Sequence, residues 1–91
     1  MAARLVNAAT ADGYTTAATV VSSRRTRLVG SLNVSNAAVY YQLARTSPDD
    51  WDPDEAYLLP VVGSLDRQVF GIRFRSAAAG VPARVSCELV T

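Results

Sequence analysis

Apolar and polar side chains alternate along the stretch Gln68-Val69-Phe70-Gly71-Ile72-Arg73-Phe74-Arg75-Ser76. A period of two residues is typical of a β-strand with one face on a core and the other toward solvent or a partner. Phe70, Ile72 and Phe74 share the predicted inner face. Val69, Gly71, Arg73 and Arg75 share the predicted outer face. This stretch therefore predicts an amphipathic strand and a β-sheet built around it.

A second alternating stretch follows the turn signal Gly80-Val81-Pro82. Val85, Cys87 and Leu89 alternate with Arg84, Ser86 and Glu88. We expect the two strands to pair in antiparallel fashion, with Cys87 as a small core residue. Such pairing would bring Glu88 within reach of Arg73 and Arg75.

Strand character also occurs upstream, in residues 14–22, 27–34, 39–44 and 57–62. Gly30 is expected to leave a gap or a bulge, and Asn36 with Ala37 to form a tight connection. Residues 1–13 are either an edge strand or an extended arm. About seven strand-like segments with turn signals between them predict one all-β domain over residues 1–91. The expected architecture is a small antiparallel β-sandwich, immunoglobulin-like or jelly-roll-like.

Composition excludes most catalytic classes and several partners. The chain has 91 residues, no histidine, one cysteine and a formal charge of +1. Without histidine the Ser-His, Cys-His and common zinc arrangements cannot form, so we expect no enzyme and no cofactor. A charge this small does not favour nucleic acid, and no apolar run approaches the roughly 20 residues that span a bilayer. A core this small favours stabilisation by neighbours, as a homo-oligomer or within a lattice.

Residues 46–55 interrupt the alternation and predict a loop, with one helical turn capped by Asp52. Asp50, Asp52 and Asp54 have the spacing of a calcium loop. The pattern fails where Gly and a closing Glu are required, at Glu55 and Val61, so no metal site is predicted. Trp51 lies in this loop and is either a plug over the sandwich end or an exposed contact.

The candidates for contact with a partner are Trp51, Arg73, Arg75, Arg24 and Arg25. Arginine suits docking surfaces because its guanidinium gives up water readily, and tryptophan is a frequent interface anchor. The alternatives are cross-strand salt bridges for Arg73 and Arg75, and an ordinary charged turn at an edge for Arg24-Arg25-Thr26-Arg27.

Several strands and turns together resemble a known class of protein: Leu28-Val29-Gly30-Ser31-Leu32-Asn33-Val34-Ser35-Asn36, Val39-Tyr40-Tyr41-Gln42-Leu43, and Phe70-Gly71-Ile72-Arg73-Phe74-Arg75-Ser76 with Pro82-Ala83-Arg84-Val85-Ser86. They are similar, over residues 27–90, to small β-sandwich structural proteins of tailed bacteriophages, especially those that infect GC-rich actinobacteria. The resemblance marks strands and turns and carries no site residues.

The resemblance implies a virion role, above all that of a capsid decoration, or cement, protein. Such a protein is made in the host cytoplasm, binds the major capsid protein or another virion protein at the capsid surface, and stabilises the assembled shell. Two alternatives stay open. One is a minor tail or head–tail component, and the other is a carbohydrate-binding β-sandwich module.

Overall fold

The computed structural model describes residues 3–34, 37–53, 57–58, 67–77, 80 and 83–90. These residues form an all-β structure whose strands lie in one antiparallel sheet, in the order β1-β6-β2-β5-β3-β4. The strands are β1 (Ala3–Ala9), β2 (Thr19–Asn33), β3 (Val39–Ala44), β4 (Tyr57–Leu58), β5 (Arg67–Ser76) and β6 (Arg84–Val90), and a 3-10 turn, Thr16–Ala18, precedes β2.

The inner face of the sheet curls around the hydrophobic core. Residues that pair across neighbouring strands are buried together, as in Val20 with Ile72, Tyr41 with Phe74, and Leu28 with Leu89. Side chains alternate between the two faces of a strand, and residues that pair across strands point to the same face. The buried apolar residues of neighbouring strands therefore lie on the same face of the sheet. The buried cluster is Ala18, Val20, Leu28, Val39, Tyr41, Leu43, Leu58, Val69, Ile72, Phe74, Ala83, Val85, Cys87 and Leu89.

The predicted neighbour of β5 is wrong. β2 lies between β5 and β6 and pairs with both of them, while β5 has β3 on its other side. At 15 residues, β2 merges the two strands expected at 14–22 and 27–34. Arg24 and Arg25 therefore lie within a strand rather than in an edge turn. The strands in the described ranges number six and share one sheet, so they do not form the expected two-layer sandwich of seven.

Two positions predicted on β5 are also wrong, namely Phe70 on the inner face and Val69 on the outer face. Val69 and Ile72 are both fully buried, whereas Phe70 is half-buried. At this point Val21 pairs with Gly71 and Thr26 with Val69, so Ser22–Arg25 of β2 face Phe70 alone. The extra residues on β2 bend the strand pair and break the alternation of β5. Val69 is buried before the break, and Ile72 and Phe74 are buried after it. Ile72, Phe74, Val85, Cys87 and Leu89 are buried as predicted.

Two further irregularities occur along β6. The β2–β6 register shifts by one residue at Gly30, which confirms the predicted bulge. The β1–β6 register shifts between Leu5 and Ala8, where Asn7 has a φ of 50° and its N–H donates to the Ser86 hydroxyl at 2.9 Å. β1 is an edge strand, and a bulge there interrupts the row of backbone groups that another chain could pair with.

Candidate functional site

Six side chains form a continuous stack on the outer face of the sheet. In spatial order they are Tyr57, Tyr40, Arg75, Tyr14, Arg73 and Trp51. We call this set the aromatic–arginine stack. It covers β4, β3 and β5, on the side opposite the core.

Strand pairing places the first three members in one row. Tyr40 of β3 pairs with Tyr57 of β4 on one side and with Arg75 of β5 on the other. The neighbouring residues Val39, Tyr41 and Phe74 are buried in the core, so these three side chains project outward. Gln42 pairs with Arg73 in the next outward row.

Consecutive members of the stack are in contact distance. The rings of Tyr40 and Tyr57 have centroids 4.5 Å apart at an interplanar angle of 28°. The Arg75 guanidinium carbon lies 4.2 Å from the Tyr40 centroid and 5.7 Å from that of Tyr14. The Arg73 carbon lies 4.6 Å from the Tyr14 centroid and 4.4 Å from that of Trp51. All four arginine contacts are within the roughly 6 Å range of cation–π attraction.

Trp51 is held at the end of β3 by the loop that follows it. Trp51 forms a bridge to Ala44, and the Asp52 N–H donates to the Leu43 carbonyl at 2.9 Å. Arg45 and Asp52 form an ion pair across the base of this loop. Gly71 makes room for the indole, since a Cβ there would lie 3.2 Å from Trp51 Cη2. Trp51 is thus a half-buried member of an outer surface, neither a plug over a sandwich end nor a fully exposed contact.

Tyr14 reaches the stack from the connection between β1 and β2. Thr10 is buried and exchanges hydrogen bonds with the backbone of Ala83, while the Ser76 N–H donates to the Ala11 carbonyl at 2.8 Å. Asp12 accepts from the Gly80 N–H at 3.1 Å. These bonds fix the connection against the end of β5 and bring Tyr14 between its two arginines.

The guanidinium groups are oriented by rings and by an amide. Arg73 Nε donates to Gln42 Oε1 at 2.8 Å. The alternative of a cross-strand salt bridge with Glu88 is wrong, because Glu88 lies on β6 opposite Arg4 and Val29, and β6 is not a neighbour of β5.

Three of the five predicted contact residues meet in the stack, namely Trp51, Arg73 and Arg75. Arg24 and Arg25 are exposed and lie in the irregular part of β2 opposite Phe70. The contact residues predicted from the sequence did not include Tyr14, Tyr40 and Tyr57 of the stack, or Gln42 beside it. Alternation with Tyr41 and Leu43 was a usable signal for Gln42, whereas Tyr14 gives no local signal because its position depends on distant hydrogen bonds.

Nothing in the described ranges gathers three potential metal ligands of the His, Cys, Asp or Glu type. Asp50 and Asp52 accept hydrogen bonds from Thr46 and Arg45. Asp54, Glu55 and Val61, together with the end of the predicted helical turn, lie outside the described residues. In the same described part, no helix is long and apolar enough to cross a membrane.

The Cys87 thiol has low reactivity. The thiol is buried, and burial raises its pKa from 9.0 to about 12, against the opposing effect of a backbone hydrogen bond at Leu5. A thiol with this pKa stays protonated at neutral pH and is a poor nucleophile.

The stack therefore offers binding chemistry: oriented guanidinium groups and the edges of aromatic rings. A scan against protein-family models, a search of the curated proteins and a search of the solved structures each found no match.

Proposed function

We propose that this chain is a non-enzymatic assembly protein that docks the aromatic–arginine stack onto an assembled protein shell, as a capsid decoration protein does. The observation that carries the proposal is the stack itself, with three tyrosines, one tryptophan and two arginines in contact on one outer face. Tyrosine, tryptophan and arginine are the residues most enriched at the energetic centres of protein interfaces.

The order of the stack favours docking. Five of its six members are half-buried, and Tyr57 at the sheet edge is 55% exposed. Side chains already held in place lose less conformational entropy when a partner covers them. Arginine stacked on a ring also sheds water more easily than lysine would.

The resemblance to phage structural proteins supplies the setting. The proposed partner is the major capsid protein or another virion protein, and the proposed location is the capsid surface after synthesis in the host cytoplasm. A shell presents many equivalent copies of one surface, so modest contacts at each copy add up. Lattice contacts or a homo-oligomer would also stabilise this small domain.

A minor tail or head–tail component would use the same docking chemistry at a different place in the particle. A carbohydrate-binding module would need free ring faces for sugars to stack on. Tyr14, Tyr40 and Trp51 instead have a guanidinium or another ring against them. Protein docking is therefore the better supported function.

Particles that lack the protein test the proposal. We expect them to assemble but to rupture at lower temperature or under milder osmotic shock, and added protein should restore resistance. The double variant Arg73→Glu/Arg75→Glu should lose occupancy by about tenfold or more, because each reversal removes a stacked cation from the interface. Arg24→Glu/Arg25→Glu has the same change in charge and should bind like the wild type.

Three results would contradict the proposal. The protein could be absent from purified particles, the Arg73/Arg75 variant could occupy them normally, or the protein could bind a glycan array with defined sugar specificity. Loss of binding only in the Arg24/Arg25 variant would place the docking surface on β2 and exclude the stack.

A further inference from the structure

We propose that Arg73 is the receptor for a carboxylate, supplied by an acidic segment of the partner protein that covers the stack. This inference names the chemistry of the partner and rests on the proposed docking function. It concerns one guanidinium group that contacts two aromatic rings and one side-chain amide.

Aromatic rings flank the Arg73 guanidinium along the strand. Trp51 lies over Gly71, on one side of Arg73, and Tyr14 also contacts Arg75, on the other. The Tyr14 and Trp51 ring centroids lie 4.6 and 4.4 Å from the guanidinium carbon. The N–H donors of a guanidinium lie at the edges of its plane, so a further hydrogen-bonding group would bind there.

The Gln42 amide occupies the Nε edge of the Arg73 guanidinium. It accepts a hydrogen bond from Arg73 Nε at 2.8 Å, which restricts the rotation of the guanidinium group within its plane. The two Nη groups then form the end of the fork, whose spacing matches the two oxygens of a carboxylate. A lysine ammonium in the same place would offer a point charge without this bidentate geometry.

No carboxylate within the described ranges forms an ion pair with Arg73. Asp12 accepts from Ser76 and Gly80, Asp52 pairs with Arg45, and Glu88 lies on β6. A half-buried guanidinium without a carboxylate partner is complementary to an incoming anion.

The geometry favours a carboxylate from a protein over a nucleic acid. Proteins that bind single-stranded nucleic acid stack the bases on open aromatic faces, and Arg73 already covers one face of Tyr14 and one face of Trp51. A formal charge of +1 provides no general attraction for a phosphate backbone. A short acidic segment of a protein partner needs neither open aromatic faces nor a large positive net charge.

The test uses the full chain and the fluorescence of its only tryptophan, Trp51. The probe is a short peptide of consecutive glutamates, and the matched probe is the same peptide with glutamines. We expect saturable binding of the first and none of the second. Arg73→Gln should weaken binding of the glutamate peptide by about tenfold or more, and Arg73→Lys should restore it only in part.

Arg4→Gln is the control, since Arg4 is exposed on β1, three strands away from β5 in the sheet order. It should leave binding unchanged. Equal binding of the two peptides by the wild type would overturn the inference without relying on a variant. Tighter binding of a single-stranded oligonucleotide than of the glutamate peptide would also overturn it.

Failure of this inference can be told apart from failure of the docking proposal. If Arg73→Gln occupies particles normally while Arg73→Glu/Arg75→Glu does not, docking by the stack stands and the carboxylate receptor is excluded. If the glutamate peptide binds through Arg73 but the protein is absent from particles, the receptor stands and the decoration function is excluded.

Discussion

The two faces of β5 are built in different ways. On the inner face, Ile72 and Phe74 are fully buried and pack with residues directly opposite on β2 and β3. On the outer face, Arg73 and Arg75 are half-buried under rings from the β1–β2 connection, β3 and the loop after β3. The inner face follows from alternation and pairing alone. The outer face depends on which distant segments cross it.

The largest effect is expected from Phe74→Ala on the inner face. Removing a fully buried aromatic side chain leaves a cavity and should lower the free energy of unfolding by about 3–5 kcal/mol. Urea unfolding followed by circular dichroism measures the loss. Phe70→Ala is the matched variant on the same strand, and its half-buried ring should cost clearly less. Equal losses would mean that Phe70 faces the core after all.

Gly71→Ala should be the next most damaging change, because it affects both faces. A Cβ at Gly71 would lie 2.8 Å from the Val20 carbonyl oxygen and 3.2 Å from Trp51 Cη2. We expect a loss of about 1–3 kcal/mol in unfolding free energy and a shift of the Trp51 fluorescence maximum as the indole is displaced. At Gly13 nothing lies within 4 Å of the added carbon, so Gly13→Ala should change neither quantity.

Cys87 makes the inner face sensitive to alkaline pH. Its pKa is raised from 9.0 to about 12 in the folded protein, so the unfolded chain loses this proton first. The stability that the thiol contributes is complete below about pH 9 and declines toward pH 12. The decline approaches about 1.4 kcal/mol per pH unit.

Unfolding curves of the wild type and of Cys87→Ala across this pH range isolate the effect, since other titrating groups are common to both. The difference in unfolding free energy should shrink as pH rises. A difference that stayed constant would show that the thiol is not buried.

The smallest effect is expected within the stack. A double-mutant cycle between Arg73→Met and Trp51→Leu should give a coupling energy of about 0.5–1 kcal/mol in unfolding free energy, as for a partly exposed cation–π pair. A cycle between Arg4→Met and Trp51→Leu should give none. Coupling no larger than that of the control pair would mean that Arg73 and Trp51 are neighbours without mutual stabilisation.

Local patterns in the sequence predicted the inner face well and the topology poorly. Val85, Cys87 and Leu89 were assigned to the core correctly, and Gly30 to a bulge, because alternation and missing side chains are visible in the sequence. The pairing partner of β5 was not visible, because β2 lies between β5 and β6 through contacts between residues far apart in the chain.

The irregular segment Ser22–Arg25 explains two further errors. Its serines and arginines are typical of a turn, yet they extend one strand across a register shift. The same shift moves Phe70 out of the core. For the candidate site, strand alternation placed Arg73 and Arg75 outside, but the rings that cover them could be identified only from the folded chain.

The pairing of β1 with β6 has a mechanical consequence. Ala3 pairs with Leu89, and the ladder continues to Ala9 with Arg84. The start of β1 therefore lies beside the end of β6. A force that pulled these two ends apart would load the ladder one residue pair at a time, and β1 would peel from β6 like an opening zipper. By contrast, β2 is bonded on both sides, to β5 and β6, and would yield only after its neighbours.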